Sequence, residues 1–268
     1  MALFGGKRRG ALDGKTIVVT GCASGIGAQT TLLLRERGAK VIGIDRNKTE
    51  NAYKFLQADL SDPDSIDAVV AKLPSKIDGL ANIAGLPPTA PPDVVIKVNL
   101  LGLQRLTLGL IPKLATGASI ANLASLAGFG WAQSLDQNKA AAELTFDNLD
   151  EFIQAQGIDQ QTGRSYFFSK EALIVWTIKN RWTWRDRGIR MNCVSPGPVE
   201  TPILKDFLET LGERAEEDMK IMDRPGVPGD VAPVVAFLMS DDSAWFRGAN
   251  LTVDGGMSSH ILQEANGL

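Results

Sequence analysis

Short apolar runs alternate with stretches of helical periodicity along most of the chain. The β-branched run at 15–20 is typical of a strand buried on both faces, and apolar positions at helical spacing follow it up to the helix-ending Gly38. The same alternation predicts further strands at 41–45, 55–59, 79–83, 118–123, 189–194 and 249–253, and helices at 62–73, 94–111, 165–184 and 230–240. Repeated strand–helix–strand units build parallel sheets with helices on both faces. We therefore predict a single α/β domain over 1–268, a doubly wound (Rossmann) fold with a mostly parallel seven-stranded sheet.

One stretch, residues 129–165, breaks this alternation and holds six acidic and two basic residues. Leu149, Phe152 and Ile153 are spaced along one face of a helix, and Asp147 before them is a residue type that caps helices. We predict an inserted amphipathic helix in this stretch.

The composition excludes several chemistries. The chain has 268 residues with 44% hydrophobic content, as in an ordinary globular domain. A single histidine leaves no basis for an imidazole zinc cluster, and Cys22 and Cys193 are too far apart in sequence for a CxxC motif. A net charge of −3 without an extended basic block argues against nucleic-acid binding, and the apolar runs are too short for a membrane span. We expect a cytoplasmic protein with no metal, nucleic-acid partner or membrane.

A glycine-rich turn, TGCASGIG at 20–27, joins the first predicted strand to the first helix. Gly21 allows a tight turn, Gly25 lets backbone N–H groups approach a pyrophosphate, and Gly27 lets helix and strand pack closely. The positive end of the helix dipole favours the same phosphates. The spacing is GxxxGxG rather than GxGxxG, so a plain structural turn remains an alternative. The cofactor-binding residues predicted here are Gly21, Ser24, Gly25, Ile26 and Gly27.

An acidic residue, Asp45, ends the second predicted strand, 18 residues beyond Gly27. A carboxylate at this place can accept hydrogen bonds from both hydroxyls of an adenosine ribose. A 2′-phosphate would meet its negative charge, so NAD is favoured over NADP. Arg46 follows directly, and a guanidinium there could pair with that phosphate, so NADP stays possible.

Tyr166 and Lys170 are four residues apart on a predicted helix and therefore share one face. A tyrosine with the ordinary pKa of ~10 is a poor base at neutral pH, but a neighbouring ammonium favours the phenolate. The pair predicts proton transfer without histidine and a lowered Tyr166 pKa. A plain surface pair is the alternative.

With these residues in place, the chain resembles the short-chain dehydrogenase/reductase family from about Asp13 to Gly256. The matching elements are the turn at 20–27, Asp59-Leu60, the NIAG run at 82–85, Asn99, Ser125, Tyr166 with Lys170, the PGPVETP run at 196–202 and the DGG run at 254–256. The second place of the NIAG run departs from the family's NNAG pattern.

The resemblance implies a role for each matching residue. Tyr166 would be the general acid/base, Lys170 would lower its pKa and hold the nicotinamide ribose, Ser125 would hydrogen-bond the substrate oxygen, and Asn99 would anchor a water of a proton relay. The further cofactor contacts implied are Asp59, Leu60, Asn82, Ala84, Gly85, Pro196, Gly197, Val199 and Thr201. The implied reaction interconverts a small-molecule alcohol and its carbonyl compound by hydride transfer with NAD, in a homo-oligomer (dimer or tetramer).

Other runs, at 41–47, 76–80, 170–176 and 190–193, resemble family members that act on coniferyl-type alcohols. They favour a coniferyl-type aromatic allylic alcohol as substrate, with a 3α-hydroxysteroid or other bulky secondary alcohol as the alternative. A catalytically silent NAD-binding regulator is the alternative from another class, although the intact Asn-Ser-Tyr-Lys set argues against it. A methyltransferase would have no need for the Tyr-xxx-Lys pair.

The chain departs from the family pattern between Ser125 and Tyr166, which are 41 residues apart because of the stretch at 129–165. One hypothesis makes this insertion a lid over the substrate, with Phe129, Trp131 and Phe146 as apolar contacts. A second makes it a cap on an assembly face that restricts the protein to a dimer, and a third gives it no role.

The region at 201–224 is the second element expected beside the substrate. Its apolar stripe of Ile203, Leu204, Phe207, Leu208 and Leu211 predicts a helix, and family members close such a helix over the substrate. Routine helix packing is the alternative.

Overall fold

The computed structural model describes residues 12–212 and 220–268. The strands are β1 (Thr16–Thr20), β2 (Lys40–Asp45), β3 (Lys54–Gln57), β4 (Ile77–Asn82), β5 (Leu114–Leu123), β6 (Arg190–Pro196) and β7 (Asn250–Val253). The α-helices are α1 (Gly25–Glu36), α2 (Pro63–Lys72), α3 (Pro92–Ile96), α4 (Leu103–Leu110), α5 (Leu135–Ala140), α6 (Leu149–Ala155), α7 (Arg164–Lys179), α8 (Pro202–Leu211), α9 (Pro228–Met239) and α10 (Met257–Asn266). Two parts of the predictions lie outside the described residues, namely 1–11 of the domain and 213–219 of the region at 201–224.

All seven strands form one parallel sheet in the order β3-β2-β1-β4-β5-β6-β7. In β1, Ile17 and Val19 face a layer shared with Leu34 of α1 and Val235 of α9, whereas Val18 faces the opposite layer with α2 and α4. Burying each such side chain stabilises the fold by about 1.5–3 kcal/mol. The predicted doubly wound α/β fold is confirmed.

Several predicted boundaries shift by a few residues. The helix predicted over 165–184 ends at Lys179, because Asn180 caps it and donates from Nδ2 to the carbonyl oxygen of Trp176 at 2.9 Å. The helix predicted over 94–111 is interrupted by a π-helical turn, Lys97–Gly102. By length and composition the helical stretch Pro92–Lys113 could cross a membrane, but 56% of its apolar 18-residue segment is buried inside the fold.

The insertion folds as two short helices, α5 and α6, where the sequence predicted one. The cap prediction was wrong by one residue: α6 begins after Asn148, not after Asp147. Asn148 is held in place because its Oδ1 accepts a hydrogen bond from the Thr145 N–H at 2.7 Å. Leu149 and Ile153 of α6 are buried in the same apolar cluster as Phe168 of α7. The insertion therefore packs on α7 and belongs to the core.

Candidate active site

The carboxyl ends of β1 and β4 lie side by side where the strand order reverses, the place at which open α/β sheets bind ligands. The Thr20 hydroxyl oxygen joins the two ends, accepting hydrogen bonds from the N–H groups of Ile83 at 2.9 Å and Ala84 at 3.0 Å. Two cavities open at this edge of the sheet. We call the one lined by the turn at 20–27 and by Asp45 the glycine-turn cleft, and the one lined by Ser125, Tyr166 and Lys170 the apolar pocket.

The glycine turn closes one end of the glycine-turn cleft. Gly21 and Gly25 have φ of +72° and +52°, a left-handed conformation that favours glycine. A Cβ on Gly27 would lie 1.9 Å from the carbonyl oxygen of Gly21, so α1 packs directly on the turn. Ser24, the N-cap residue, makes no side-chain cap hydrogen bond. The first N–H groups of α1 are therefore left for another acceptor, which fits a pyrophosphate.

Asp45 lies at the side of this cleft, at the end of β2. Its carboxylate is oriented by two backbone donors: Oδ2 accepts from the Ala23 N–H at 3.0 Å, and Oδ1 accepts from the Asn47 N–H at 2.8 Å. Each oxygen keeps a second lone pair for a ribose hydroxyl. The predicted cofactor residues that line this cleft are Gly21, Ser24, Gly25, Ile26, Gly27, Asp45, Arg46, Asp59, Leu60, Ala84, Gly85 and Thr201.

The side chains of Asp59 and Asn82 have different surroundings: Asp59 lines the cleft and Asn82 does not. Burial raises the pKa of Asp59, but hydrogen bonds from Ser61 and the charge of Arg46 outweigh it and hold this pKa below its usual value. Asn82 is buried inside the sheet, where its Nδ2 donates to Thr107 Oγ1 and Asn122 Oδ1, both at 2.9 Å. The structure does not bring the Asn82 side chain to either cavity.

Ser125, Tyr166 and Lys170 are brought together beside the cleft. Tyr166 and Lys170 are buried on α7, and the Lys170 ammonium lies 5.5 Å from the centre of the Tyr166 ring. The same ammonium donates to the carbonyl oxygen of Leu123 at 2.9 Å. Because Leu123 ends β5 and Ser125 lies two residues further on, this bond fixes α7 against the turn that begins at Ser125 (the Ser125 turn).

Burial is the largest influence on the pKa values of this pair. Burial raises the pKa of Tyr166, and a hydrogen bond with Ser125 lowers it only in part. For Lys170, whose charged form is the protonated one, burial has the opposite effect and lowers the pKa to about 8. Withdrawal from water disfavours the charged form of both groups, so the net direction for Tyr166 is upward, and the lowering effect of Lys170 stays a prediction.

Asn99 lies in the π-helical turn and is fully buried. Its amide pairs with the backbone of Leu86, accepting from the N–H at 2.7 Å and donating to the carbonyl at 3.1 Å. A Cβ on Gly85 would lie 3.4 Å from Asn99 Oδ1 and 3.7 Å from Lys170 Nζ, so both side chains lie close to Gly85. Asn99 therefore shapes the wall of the site at Gly85 and Leu86.

The apolar pocket opens beside Ser125, Tyr166 and Lys170. Its other lining residues include Leu126, Ala127, Phe167, Pro196, Gly197, Val199, Thr201, Ile203, Leu204, Phe207, Leu208, Met257 and Ile261. Among the described residues that line it, Lys170 alone carries a charge. The ring of Phe207 packs edge-on against Tyr166, with centroids 5.3 Å apart and planes at 75°.

The sequence did not indicate every residue of this pocket. Phe207 was expected on an apolar stripe, but its contact with Tyr166 depends on how α8 folds back over α7. Ile261 comes from α10, which has no motif that would mark it. The lid hypothesis also fails for the insertion, since none of the described residues 129–165 lines the pocket. Trp131 and Phe146 pack instead against the buried cluster on α7.

No group of three or more metal-ligating side chains occurs within 12–212 and 220–268.

Comparisons with known proteins agree along most of the chain. The family model for short chain dehydrogenases matches residues 15–136, and the model described as enoyl-(acyl carrier protein) reductase matches residues 148–258. The chain is 44% identical to coniferyl-alcohol dehydrogenase of a Pseudomonas strain, covering 92% of this chain and 98% of that protein. It is 33% identical to 3-alpha-hydroxysteroid dehydrogenase/carbonyl reductase of Comamonas testosteroni, covering 91% and 96%.

A solved structure shares the fold as well. The 3-alpha-hydroxysteroid dehydrogenase from Pseudomonas sp. B-0831, crystallised with NADH, superposes with a TM-score of 0.81 at 33% identity, covering 94% of this chain and 99% of that one. These matches, together with the Ser125, Tyr166 and Lys170 cluster beside a glycine-turn cleft, show that the chain belongs to the short-chain dehydrogenase/reductase family.

Proposed function

We propose that this protein is an NAD-dependent dehydrogenase that interconverts a coniferyl-type aromatic allylic alcohol and its aldehyde. The observation that carries the proposal is the cluster of Ser125, Tyr166 and Lys170, which lines the apolar pocket beside the glycine-turn cleft. The relatives named for coniferyl alcohol and for 3-alpha-hydroxysteroids support the same reaction class.

The glycine-turn cleft suits a dinucleotide in three ways. Its turn has no room for a Cβ at Gly27, the N–H groups of α1 are open, and Asp45 has both carboxylate oxygens oriented. Asp45 favours NAD over NADP, although Arg46 leaves NADP as a weaker cofactor. The further contacts proposed are Asp59, Leu60, Ala84, Gly85, Pro196, Gly197, Val199 and Thr201. Bound NAD supplies the hydride acceptor, and NADH the donor.

In the proposed mechanism, Tyr166 exchanges the proton of the substrate oxygen, and the Ser125 hydroxyl hydrogen-bonds that oxygen. Both hydroxyls lie at the wall of the apolar pocket. Burial raises the Tyr166 pKa, so proton removal needs nearby positive charge, and the ammonium of Lys170, 5.5 Å from the ring centre, supplies it. Asn99 holds the Gly85–Leu86 wall and would help to place a water of the proton relay.

The pocket favours an aromatic, uncharged substrate. Phe167 and Phe207 supply flat apolar surfaces next to Tyr166, and a carboxylate or phosphate would find no charged partner there except Lys170. A bulky secondary alcohol such as a 3α-hydroxysteroid is the second candidate, favoured by the 33% identical relative. The region at 201–224, which includes α8, is proposed to close over either substrate.

An alcohol panel tests the proposal. Purified protein should reduce NAD with coniferyl alcohol faster than with a 3α-hydroxysteroid or an aliphatic alcohol, and faster than it reduces NADP. Tyr166→Phe should lower kcat by about 10²–10⁴-fold, the usual contribution of a general acid/base, while NAD binding stays unchanged. Binding of NAD without turnover of any alcohol would instead favour the silent regulator.

The proposal extends to the setting of the enzyme. We expect a homo-oligomer, either dimer or tetramer, in the cytoplasm, with no membrane or nucleic-acid partner. Light scattering of the purified protein measures the first of these expectations, and a mass equal to one chain would contradict it.

A further inference from the structure

A buried ion pair lies on the back of the catalytic helix. Arg164 and Glu171 are seven residues apart on α7 and so share a face, which is turned away from Tyr166. Their contact is bidentate, with Nη1 to Oε1 at 2.9 Å and Nη2 to Oε2 at 2.7 Å. The two side chains are 17% and 5% exposed. A buried pair of this kind is costly unless its remaining donors also find partners.

The further partner comes from the insertion. Oε1 of Gln137, on α5, accepts a hydrogen bond from Arg164 Nη2. Nε2 of the same Gln137 donates to the carbonyl oxygen of Gln156, just after α6, at 3.1 Å. Both helices of the insertion are thereby connected to the first turn of α7, two residues before Tyr166.

The turn after Ser125 lies on the same part of α7. Ser125 caps a 3₁₀ segment, Leu126–Ala132. A Cβ on Gly128 would lie 2.8 Å from the carbonyl carbon and oxygen of Lys170, so the two backbones are in direct contact. A Cβ on Gly130 would lie 4.0 Å from Glu171 Oε1. The buried pair therefore stands next to the point where the Ser125 turn meets α7.

We propose that Arg164, Glu171 and Gln137 are positioning residues for the dehydrogenase reaction. Through them the insertion braces α7 against the Ser125 turn and so sets the distance between the Ser125 and Tyr166 hydroxyls. We call the three residues the brace. This inference rests on the proposed roles of Ser125 and Tyr166, and it explains why a segment that touches neither cavity sits beside the catalytic helix.

The expected size of the effect follows from how sensitive proton transfer is to geometry. A displacement of about 1 Å in a catalytic group can cost ~10²-fold in rate. The hydrogen bond from Ser125 also lowers the Tyr166 pKa, so a looser contact raises that pKa. Lys170, whose ammonium lies 5.5 Å from the centre of the Tyr166 ring, is unchanged by substitutions in the brace.

The test compares Glu171→Gln, Gln137→Leu and the double variant Arg164→Met/Glu171→Met. We expect Glu171→Gln to lower kcat by about 10–100-fold, and Gln137→Leu by about 3–10-fold, while the Kd for NAD changes less than about 2-fold. The rising limb of kcat against pH should move to higher pH. The double variant buries no unpaired charge, so its Tm should return towards the wild-type value while its kcat stays low.

Asp136→Asn is the matched control. Asp136 is on α5, one residue from Gln137, but its pair with Lys139 spans 3.7 Å and both side chains are largely exposed. This variant should keep the wild-type kcat, pH profile and Tm.

Two outcomes would overturn the proposal. In the first, Glu171→Gln and Gln137→Leu lower the Tm but keep the wild-type kcat and pH profile, which makes the brace purely structural. In the second, wild-type protein oxidises no alcohol, which refutes the proposed function, and amide hydrogen exchange at 125–128 is the same in the variants as in the wild type. Faster exchange there, without a global loss of protection, would support the brace independently of activity.

Discussion

The glycine-turn cleft and the apolar pocket share a wall that includes Ile26, Gly85 and Thr201, yet most of each cavity is built differently. The cleft is shaped mainly by backbone at the carboxyl ends of adjacent strands and by the turn at 20–27. The pocket is shaped by side chains of segments far apart in sequence, from the Ser125 turn to Ile261 of α10. A cavity of the first kind tolerates little added volume, whereas one of the second kind can change its shape one side chain at a time.

Charge divides the two cavities in the same way. The cleft has acidic groups at its side, Asp45 and Asp59, each oriented by N–H or hydroxyl donors of neighbouring residues. The pocket has one ammonium, Lys170, whose pKa burial lowers to about 8. The cleft thus suits a polar nucleotide, and the pocket suits an apolar molecule that presents a single reactive oxygen.

The substitution with the largest expected effect disrupts the glycine-turn cleft and leaves the apolar pocket unchanged. Gly27→Ala adds a Cβ 1.9 Å from the Gly21 carbonyl oxygen, so α1 must move away from the turn. We expect the Kd for NAD to rise about 100-fold or more, and the free energy of unfolding to fall by about 1–3 kcal/mol. Titration calorimetry and urea unfolding measure the two quantities.

Gly229→Ala is the control for this substitution. Gly229 is on α9 and an added Cβ there has only Val227 nearby, at 3.9 Å. Alanine is the better helix former, so this variant should bind NAD normally and be at least as stable as the wild type. Normal NAD binding by Gly27→Ala would show that the close approach at the turn is dispensable.

The second-largest expected effect tests the role of the Asp45 carboxylate in cofactor selectivity. Asp45→Ala removes a carboxylate whose hydrogen bonds to a ribose would each contribute about 1.5–3 kcal/mol. The ratio of kcat/KM for NAD to that for NADP should fall about 10–100-fold. Asp242→Ala changes the net charge equally at an exposed position away from both cavities, and should leave the ratio unchanged. An unaltered ratio in Asp45→Ala would show that Asp45 only stabilises the glycine turn.

A smaller effect should appear on the side of the pocket. Phe207→Ala removes the ring that packs edge-on against Tyr166, a contact of about 0.5–1.5 kcal/mol beyond the apolar area it buries. We expect the KM for an aromatic alcohol to rise about 10-fold, with the Kd for NAD unchanged. Leu262→Ala on α10, 49% exposed and absent from the pocket lining, is the control. Equal KM values in the two variants would show that Phe207 does not contribute to substrate binding.

The smallest effect concerns stability and depends on pH. The Lys170 pKa of about 8 lies below its ordinary value of 10.5, so between these pH values the unfolded chain binds more protons and stability rises with pH. Below pH 8 the folded protein carries the full cost of a buried ammonium, only partly offset by its bond to the Leu123 carbonyl. Lys170→Met should therefore be more stable than the wild type at pH 7, by about 1 kcal/mol, in the absence of NAD.

Urea unfolding at pH 7 and at pH 10 tests this expectation. The advantage of Lys170→Met should shrink as the pH rises from 8 towards 10.5, because the folded protein then holds a neutral lysine and the free-energy cost of removing its proton falls. A variant less stable than the wild type at pH 7 would show that the hydrogen bond to Leu123 outweighs the burial cost.

Much of the fold and of the cleft could be predicted from the sequence because the signals are local. The β-branched run of β1, the glycines of the turn and the acid at the end of β2 are close in sequence and act within one strand–helix–strand unit. The spacing of Tyr166 and Lys170 likewise needs only a helix. Strand boundaries were less exact because the ends of β3 and β4 depend on which neighbouring strand they pair with.

The remaining features depend on contacts between distant segments. Phe207 against Tyr166, and Gln137 on the Arg164–Glu171 pair, join residues that no local pattern relates. The burial of Tyr166 and Lys170, which raises the Tyr166 pKa, also could not be predicted, because only the charge of Lys170 was visible in the sequence.

The sequence by itself determined the parallel α/β framework, the glycine turn, Asp45 and the order of the catalytic residues along the chain. Hydrophobic periodicity and backbone freedom are properties of neighbouring residues, and they carry this information directly. Only the tertiary structure decided that Asn82 lies inside the sheet, that α8 covers Tyr166, and that the acidic insertion supports the back of α7. Those outcomes depend on which surfaces exclude water together, which is settled only when the whole chain packs.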